Sequence, residues 1–295
     1  MSFDWTRFVP VSARKALSVS QGPTACISGQ LLTRYASAID APVLELTARR
    51  AASLAGFLRA CHQADAVAVV AVDADVRARG PRAGAVAISG ILAAAATAHH
   101  VGPIVLVARA SRPVSRRTDI AFMTHLDDTL ARDVEAGFGA IGLAAAAFHD
   151  VDVLAHAARL AIEFDLGIEI EVGATDDAAL LLAGVDDRAL PISAVRGARP
   201  LDELGDAARI VGLADLRDLD GLDRGGLRVN LDAVVDNRTD DDNDSDDSDD
   251  SDDSDDDDDD DDVEARTWNT VTRVLKGLKA DGSATRLAAV LMGTQ

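Results

Sequence analysis

The sequence has few cysteines, few aromatic residues and no long apolar run. Its 295 residues include two cysteines, Cys26 and Cys61, and 3% aromatic side chains. Two cysteines are too few for a disulfide framework or a cysteine-rich zinc cluster. No run of about 18 uninterrupted apolar residues is present, and residues 1–15 lack the basic-then-apolar order of a signal peptide. We therefore expect a soluble, cytoplasmic protein with two reduced thiols.

Negative charge is concentrated in one segment. The formal net charge is -21, but residues 240–262 hold 18 of the 50 acidic residues and no basic residue. The rest of the chain contains 32 acidic and 29 basic residues, and most of the basic residues are arginine. The segment cannot bury apolar area and its like charges repel, so we expect a disordered, solvated insertion. An alternative is that it attracts cations or a basic partner through its field.

Short β-branched apolar runs alternate with alanine-rich helical stretches before the acidic segment. This alternation is typical of parallel β/α units. Eight strands, each followed by a helix, favour a closed (β/α)8 TIM barrel over a doubly wound open sheet, although both give similar periodicity. The predicted strands are 66–72, 103–107, 120–124, 139–143, 168–172, 190–195, 209–213 and 227–231.

The same pattern predicts the domain boundaries. Residues 66–239 form the expected barrel core, 1–65 an N-terminal extension packed on it, and 263–295 a C-terminal helical segment. The extension contains strand-like runs at 24–28 and 42–47, which would cap the barrel floor. A rival register begins the barrel at residue 24 and leaves one later strand outside. Periodicity alone does not decide between the two registers.

Polar residues occur at the carboxyl ends of the predicted strands, where the active sites of such barrels form. The third predicted strand leads into HLDD at 125–128, the fifth carries Glu169 and Glu171, and the eighth carries Asn230 and Asp232. Strand residues two apart share a face, so we expect these side chains to converge. Carboxylates that converge at one rim suit a divalent metal ion or acid–base chemistry.

Four stretches of the chain follow an order shared with a known enzyme family. Residues 119–144 (DIAFMTHLDDTLARDVEAGFGAIGLA) look like a segment in which HLDH ends a strand and an AGF turn follows the next helix. Residues 161–173 (AIEFDLGIEIEVG) resemble the EIELG strand, 225–232 (GGLRVNLD) the KVNIDT strand, and 90–108 the first helix and second strand. The chain thus resembles a divergent class II, metal-dependent fructose-bisphosphate or ketose-bisphosphate aldolase. The resemblance implies a carbon–carbon lyase acting on a phosphorylated sugar or related ketose.

The resemblance also implies roles for individual residues. Asp127 matches the family's proton-shuttling aspartate, and Glu171 matches a carboxylate that can bind the metal. Asn230 and Asp232 match residues that hold the substrate. In that family a zinc ion polarises the carbonyl group of the bound ketose while a carboxylate moves protons.

Two positions depart from the family's histidine ligands. Asp128 stands where HLDH has its metal-binding histidine, and Arg196 stands where the sixth strand has a His-Gly pair. Zinc is the ion implied by the resemblance, but a site built from Asp128 and Glu171 favours Mg²⁺ or Mn²⁺. Arg196 becomes a candidate for binding the substrate.

Three functional hypotheses follow. The chain is a metal-assisted lyase, a non-catalytic aldolase-like barrel that acts as a binding or partner subunit, or a barrel that uses Arg196 for metal-independent chemistry on an anion. A phosphorylated small molecule is the expected partner, nucleic acid and membranes are not, and the resemblance implies a homo-oligomer. Structural roles stay open too, because Asp127 and Asp128 would also cap a helix, and Glu169 and Glu171 would also suit an exposed strand face.

Overall fold

A closed parallel barrel forms the centre of the molecule. The computed structural model describes residues 3–10, 13–14, 24–32, 41–109, 120–144, 156, 159, 162–172, 192, 194–197, 208–214, 216, 219, 227–236 and 257–293. Their strands are β1 Ala25–Cys26, β2 Val43–Thr47, β3 Ala68–Val72, β4 Pro103–Ala108, β5 Ala140–Ala144, β6 Gly167–Val172, β7 Ala194–Gly197, β8 Ala208–Gly212 and β9 Leu227–Asn230. Each strand from β2 onwards pairs in parallel with the next, and β9 pairs back with β2. The predicted (β/α)8 barrel is therefore confirmed.

Both faces of the barrel strands are buried, which explains why their sequences are nearly continuous apolar runs. Outward-facing residues such as Leu44, Val70 and Ile168 belong to one apolar core shared with the helices. Inward-facing residues such as Val69 and Val105 form a second core inside the barrel. A charged residue on an inward face is enclosed by the barrel wall and requires a partner there.

The barrel begins at a different place from either predicted register. Its first strand is β2, which lies within the predicted N-terminal extension. Strand β1 pairs only with the start of β4, with Ala25 opposite Pro103, and lies outside the closed ring. The barrel therefore starts neither at 66–72 nor at 24–28, and 42–47 supplies a barrel strand rather than a cap on the floor.

Residues 120–124 are helical, so their prediction as the third strand was wrong. They begin a helix that runs from Ile120 to Ala136. A short apolar run fits a strand or a buried helix equally well, and here helical spacing continues to Leu130 and Val134, which are both buried. The third strand of the ring is β4, and the first residue after it is Arg109.

The helices pack around this ring. They are α1 Ala51–Gln63, α2 Ala74–Arg77, α3 Ala83–Thr97, α4 Ile120–Ala136, α5 Asp232–Asp236, α6 Asp257–Leu278 and α7 Ser283–Leu291. Helices α1 and α6 approach so closely that a Cβ atom at Gly56 would lie 2.3 Å from the carbonyl oxygen of Glu264. No helix in the described part of the chain is long and apolar enough to cross a membrane.

Helix α7 closes the amino-terminal end of the barrel. The Ser283 hydroxyl accepts a hydrogen bond from the backbone N–H of Val67 at 3.0 Å, just before β3. The Gly282 N–H donates to the carbonyl of Ala64 at 2.7 Å, and Leu287 is fully buried among the inward-facing residues. This seal leaves the carboxyl end of the barrel as the side where a ligand enters.

The end of the acidic segment is helical. Asp257–Asp262 form the first turns of α6, which differs from the extended conformation predicted for 240–262. Carboxylates are favourable near a helix N-terminus because its dipole is positive there. Residues 240–256 lie outside the described residues.

Candidate functional site in the barrel mouth

A fully buried carboxylate, Glu45 on β2, lies inside the barrel. Its Oε1 atom accepts hydrogen bonds from Arg109 Nη2 at 2.7 Å, from Asn230 Nδ2 at 3.2 Å and from Arg196 Nη2. Its Oε2 atom lies 2.8 Å from Arg228 Nε. Three guanidinium groups, from the end of β4 and from β7 and β9, therefore surround one carboxylate.

The surrounding arginines keep Glu45 ionised. Burial alone raises the pKa of this carboxyl group, but Arg228, Arg196 and Arg109 together outweigh burial and lower the pKa to about 2. A carboxylate with so low a pKa stays charged throughout the physiological range. Glu45 is thus a permanent counter-ion to the arginines rather than an acid or a base.

A second buried carboxylate, Glu169 on β6, behaves differently. It accepts a hydrogen bond from Arg228 Nη1, so Arg228 bridges Glu169 and Glu45. Burial raises the pKa of Glu169 above its ordinary value, although the attraction of Arg228 opposes that rise. Of the two carboxylates that share Arg228, Glu169 therefore takes up a proton more readily.

Asp232, the first residue of α5, ties the rim of the barrel together. Its carboxylate accepts hydrogen bonds from the backbone N–H of Thr47 at 2.8 Å and from the Thr47 hydroxyl at 2.6 Å. Arg109 Nη2 lies 3.3 Å from Asp232 Oδ2. Asn230 Oδ1 accepts the backbone N–H of Asp232 at 3.2 Å. Arg109 is therefore shared between Glu45 inside the barrel and Asp232 at the rim.

The buried ion pair between Arg77 and Asp133 positions the backbone of Arg109. Arg77 on α2 donates a hydrogen bond to the backbone carbonyl of Arg109 and another, at 2.5 Å, to Asp133 on α4. The side chains of Arg77 and Asp133 are only 7% and 9% exposed. The Arg77 guanidinium also lies 5.9 Å from the centre of the Phe138 ring, within range of a cation–π contact. These contacts fix the backbone from which the Arg109 side chain enters the mouth.

Two guanidinium nitrogens of the site, Arg109 Nε and Arg228 Nη2, are buried and donate no hydrogen bond within the described residues. Arg109 Nε lies 3.9 Å from Asp73 Oδ1, which is an ion pair without a hydrogen bond. An unsatisfied buried donor costs about 1–3 kcal/mol, so such a site favours a ligand or water that accepts hydrogen bonds. The side chains of Arg109 and Arg196 are 17% and 22% exposed, so both are accessible from the mouth.

The structure brings together the three residues predicted to bind the substrate. Arg196 and Asn230 both donate to Glu45, and Asp232 is joined to the same cluster through Arg109. Their roles in binding stay predictions.

Asp127 and Asp128 do not lie at a strand end. Both belong to α4, where Asp127 Oδ1 lies 2.8 Å from His156 Nε2. Asp128 is exposed, and its backbone carbonyl accepts a hydrogen bond from Arg132 Nε at 3.0 Å. The predicted position of these residues at the end of the third strand is therefore wrong. The catalytic role of Asp127 and the metal-binding role of Asp128 lose the geometry on which they were predicted.

Glu171, the other predicted metal ligand, is an exposed residue of β6 that lies opposite Arg196 in the strand register. Within the described residues, no group of three or more His, Cys, Asp or Glu side chains is placed to hold a metal ion. The guanidinium groups of the mouth also repel a cation. These residues do not fit the expected divalent ion, whether Zn²⁺, Mg²⁺ or Mn²⁺.

Sequence reasoning missed Glu45, Thr47 and Arg228. The first two lie on a strand that was assigned to the N-terminal extension, and Arg228 lies within the matched stretch 225–232 but received no role there. A signal was nevertheless present, because VLELT and LRVN each place a charged residue inside an apolar parallel strand. Since both faces of such strands are buried, these charges indicate ion pairs inside the barrel.

A comparison with solved structures finds aldolases among the structures similar to this barrel. The YdjI aldolase of Escherichia coli K12 matches with a TM-score of 0.60 and 12% sequence identity over 86% of this chain and 98% of that chain. Fructose-bisphosphate aldolase of Campylobacter jejuni matches with a TM-score of 0.55 and 10% identity over 90% and 99%. The chain shares the barrel fold of these structures. No protein-family model and no curated protein matches the sequence. At this identity, the aldolase-like barrel shares a fold with its neighbours, in agreement with the motifs of its sequence.

Proposed function

We propose that the aldolase-like barrel binds a phosphorylated sugar or related ketose at its mouth. The observation that supports the proposal is the set of three arginines around Glu45, two of which are accessible from the mouth. Guanidinium groups bind phosphate through paired, charge-assisted hydrogen bonds. The buried Nε donor of Arg109, which makes no hydrogen bond in the described part of the chain, is available to such a ligand.

Each residue of the cluster has a defined part in this binding. Arg109 and Arg196 contact the phosphate group, while Asn230 and Asp232 offer polar atoms to the sugar hydroxyls. Glu45 does not contact the ligand, because its carboxylate is already occupied by the arginines that it orients. Affinity therefore depends on the negative charge of the ligand more than on its hydroxyl groups.

Carbon–carbon cleavage is a second candidate function, favoured by the fold shared with aldolases and by the carboxylates Glu171 and Asp232 at the mouth. In an aldol cleavage, a carboxylate takes the proton of the substrate hydroxyl as the carbon–carbon bond breaks. The negative charge that develops on the enediolate is stabilised by a nearby guanidinium, here that of Arg196. No metal ion takes part in this scheme, because the described residues do not fit one.

Binding is tested by isothermal titration calorimetry with fructose 6-phosphate and with fructose. We expect the phosphate ester to bind and fructose to show no measurable heat. Arg196→Ala should weaken binding of the ester at least about tenfold, since it removes a charge-assisted contact. The matched control is Arg132→Ala, an exposed arginine of α4 whose hydrogen bonds are local, at Asp128 and Thr129. Equal affinity for the ester and the free sugar, or wild-type affinity in Arg196→Ala, would contradict the proposal.

Cleavage is tested separately by measuring aldehyde release from the bound ester. Elemental analysis of protein purified without chelator accompanies this assay, together with the double variant Asp128→Ala, Glu171→Ala. Turnover without bound metal supports the guanidinium scheme, and binding without turnover supports a binding subunit. A stoichiometric ion that the double variant loses would instead establish a metal site at Asp128 and Glu171 and overturn the scheme.

A further inference from the structure

A pocket of about 240 Å³ lies outside the barrel, where the start of α1, the end of α5 and the first half of α6 meet. Its lining residues do not include Glu45, Arg109, Arg196 or Arg228, although Arg49 lies 3.9 Å from Asp232 at the rim of the barrel. Three arginines line the pocket, together with three residues that carry hydroxyl groups: Arg49, Arg50, Arg266, Ser53, Thr267 and Thr270. The combination of guanidinium and hydroxyl groups is the donor set that binds oxyanions.

The charge of this α1–α6 pocket is unbalanced. Asp236 is the carboxylate among its lining residues, and it is bound to Arg49. Arg50 is exposed, and its side chain makes no hydrogen bond or ion pair within the residues that the structure describes, although its backbone carbonyl accepts the N–H of Leu54 at 3.1 Å. Arg49 is also paired with Asp73 and Asp232. The guanidinium group of Arg50, which has no ion pair in the described ranges, is therefore available to an anion.

Two of these hydroxyl groups, those of Ser53 and Thr267, point to a ligand independently of the charges. Ser53 and Thr267 are 9% and 4% exposed and both line the pocket. Neither hydroxyl makes a hydrogen bond to any residue in the described ranges. Buried hydroxyls ordinarily have partners, so two unpartnered ones on opposite walls of one pocket indicate an acceptor that binds between them.

The N-terminus of α1 also favours an anion in this pocket. Arg50 is the N-cap residue and gives no side-chain hydrogen bond to the first turn. The first N–H groups of a helix lack partners within the helix, and the positive end of its dipole favours an anion. Ser53 belongs to this first turn, so the uncapped turn and the Ser53 hydroxyl lie on the same wall of the pocket.

We infer that the α1–α6 pocket binds the phosphate group of a small molecule at a site distinct from the barrel mouth. Arg50 and Arg266 supply the charge, and Ser53 and Thr267 donate hydrogen bonds to the phosphate oxygens. The volume is below the range of about 300–1,000 Å³ typical of pockets that enclose a drug-sized ligand. The pocket therefore takes free phosphate or the phosphate end of a small ester whose remainder extends into solvent.

The experiment is isothermal titration calorimetry of the full chain with inorganic phosphate and with glycerol 3-phosphate. Two variants probe the pocket: Arg50→Ala, which removes a charge that makes no structural contact, and Thr267→Val, which removes one hydroxyl and preserves the shape of the side chain. Each should weaken binding of inorganic phosphate about tenfold. Arg273→Ala is the matched control, an exposed arginine on the same helix that does not line the pocket.

Arg196→Ala separates this site from the barrel mouth. Phosphate binding in the pocket should persist in that variant, whereas binding of a sugar phosphate at the mouth should weaken. Tighter binding of the ester than of free phosphate, lost in Arg50→Ala, would identify an ester as the ligand, and equal binding would identify free phosphate. Phosphate binding that is unchanged in both pocket variants, lost only in Arg196→Ala, or absent from the wild type would overturn the inference.

Discussion

Gly56 on α1 faces the carbonyl oxygen of Glu264 on α6, at a distance that leaves no room for a side chain. A Cβ atom at residue 56 would lie 2.3 Å from that oxygen and 3.0 Å from the backbone nitrogen of Trp268. Gly56→Ala must therefore force the two helices apart. We expect the free energy of unfolding, measured by denaturant titration, to fall by about 2–3 kcal/mol.

Gly90→Ala is the control for this substitution. Gly90 is also inside a helix, α3, but it is exposed and a Cβ atom there meets nothing within 4 Å. Alanine is a better helix former than glycine, so this variant should gain about 0.5–1 kcal/mol. Equal loss of stability in both variants would show that α1 and α6 are not in close contact.

Glu45→Gln should strongly destabilise the barrel. The substitution preserves the shape of the side chain but leaves Arg109, Arg196 and Arg228 without their common counter-ion. Removing one partner of a buried ion pair costs about 3–5 kcal/mol. Glu171→Gln, the same change at an exposed position of β6, should stay within about 0.5 kcal/mol of the wild type. Denaturant titration compares the two, and similar stability of both variants would argue against the buried cluster.

His100 should make the protein less stable as the pH falls from about 6.5 to 4. Burial lowers the pKa of His100 from 6.5 to about 4, and the nearby His62 adds to this effect. In that interval the unfolded chain binds a proton that the folded chain excludes, so stability is complete above pH 6.5 and declines below it. The decline reaches up to about 3 kcal/mol.

The variant His100→Asn tests the origin of this dependence. Its amide can retain the hydrogen bond that His100 Nδ1 makes to the carbonyl of Leu58 at 3.1 Å, but it does not titrate. Denaturant titrations between pH 7 and 4 should therefore give a flatter profile than those of the wild type. An unchanged slope would assign the acid sensitivity to other groups.

The buried pair Arg77–Asp133 should behave as one energetic unit. Arg77→Met or Asp133→Asn alone leaves a buried charge without its partner, and each should cost about 3–5 kcal/mol. The double variant should lose clearly less than the two single losses together, and a double-mutant cycle measures the difference. Arg77→Met should also weaken ligand binding at the mouth, because Arg77 fixes the backbone of Arg109. Additive losses would show that the pair is not coupled.

Much of the fold can be predicted from the sequence, because parallel barrel strands are short β-branched runs buried on both faces. Runs 139–143, 168–172 and 227–231 overlap β5, β6 and β9. Run 120–124 (IAFMT) is too short to show whether its apolar residues follow the spacing of a helix or of a strand. Only the helical spacing that continues to Val134 identifies it as part of a helix. Run 42–47 is assigned to the extension because the strands predicted from 66–72 onwards, with 120–124 among them, already number eight.

The site is less predictable than the fold, because its contacts join residues far apart in the chain. Asn230 and Asp232 stand out as polar residues at a strand end, and Arg196 stands out against the family motif. The charge of Glu45 inside an apolar strand indicates an ion pair, but the sequence does not identify its partners, which are three arginines that lie 64 to 183 positions away. For Asp127 the sequence motif matches the family, but the residue lies on helix α4 and not at the end of a barrel strand.

The seal formed by α7 has a consequence for the order of assembly. Val67 and Ser283, which are joined by a hydrogen bond, are 216 positions apart. During synthesis on the ribosome, β3 therefore emerges long before the segment that covers its lower end. Until that segment is released, the inward-facing residues of the nascent barrel stay open to water and to chaperones. The barrel core is consequently completed only after α7 has been synthesised, and closing so long-range a contact is slow.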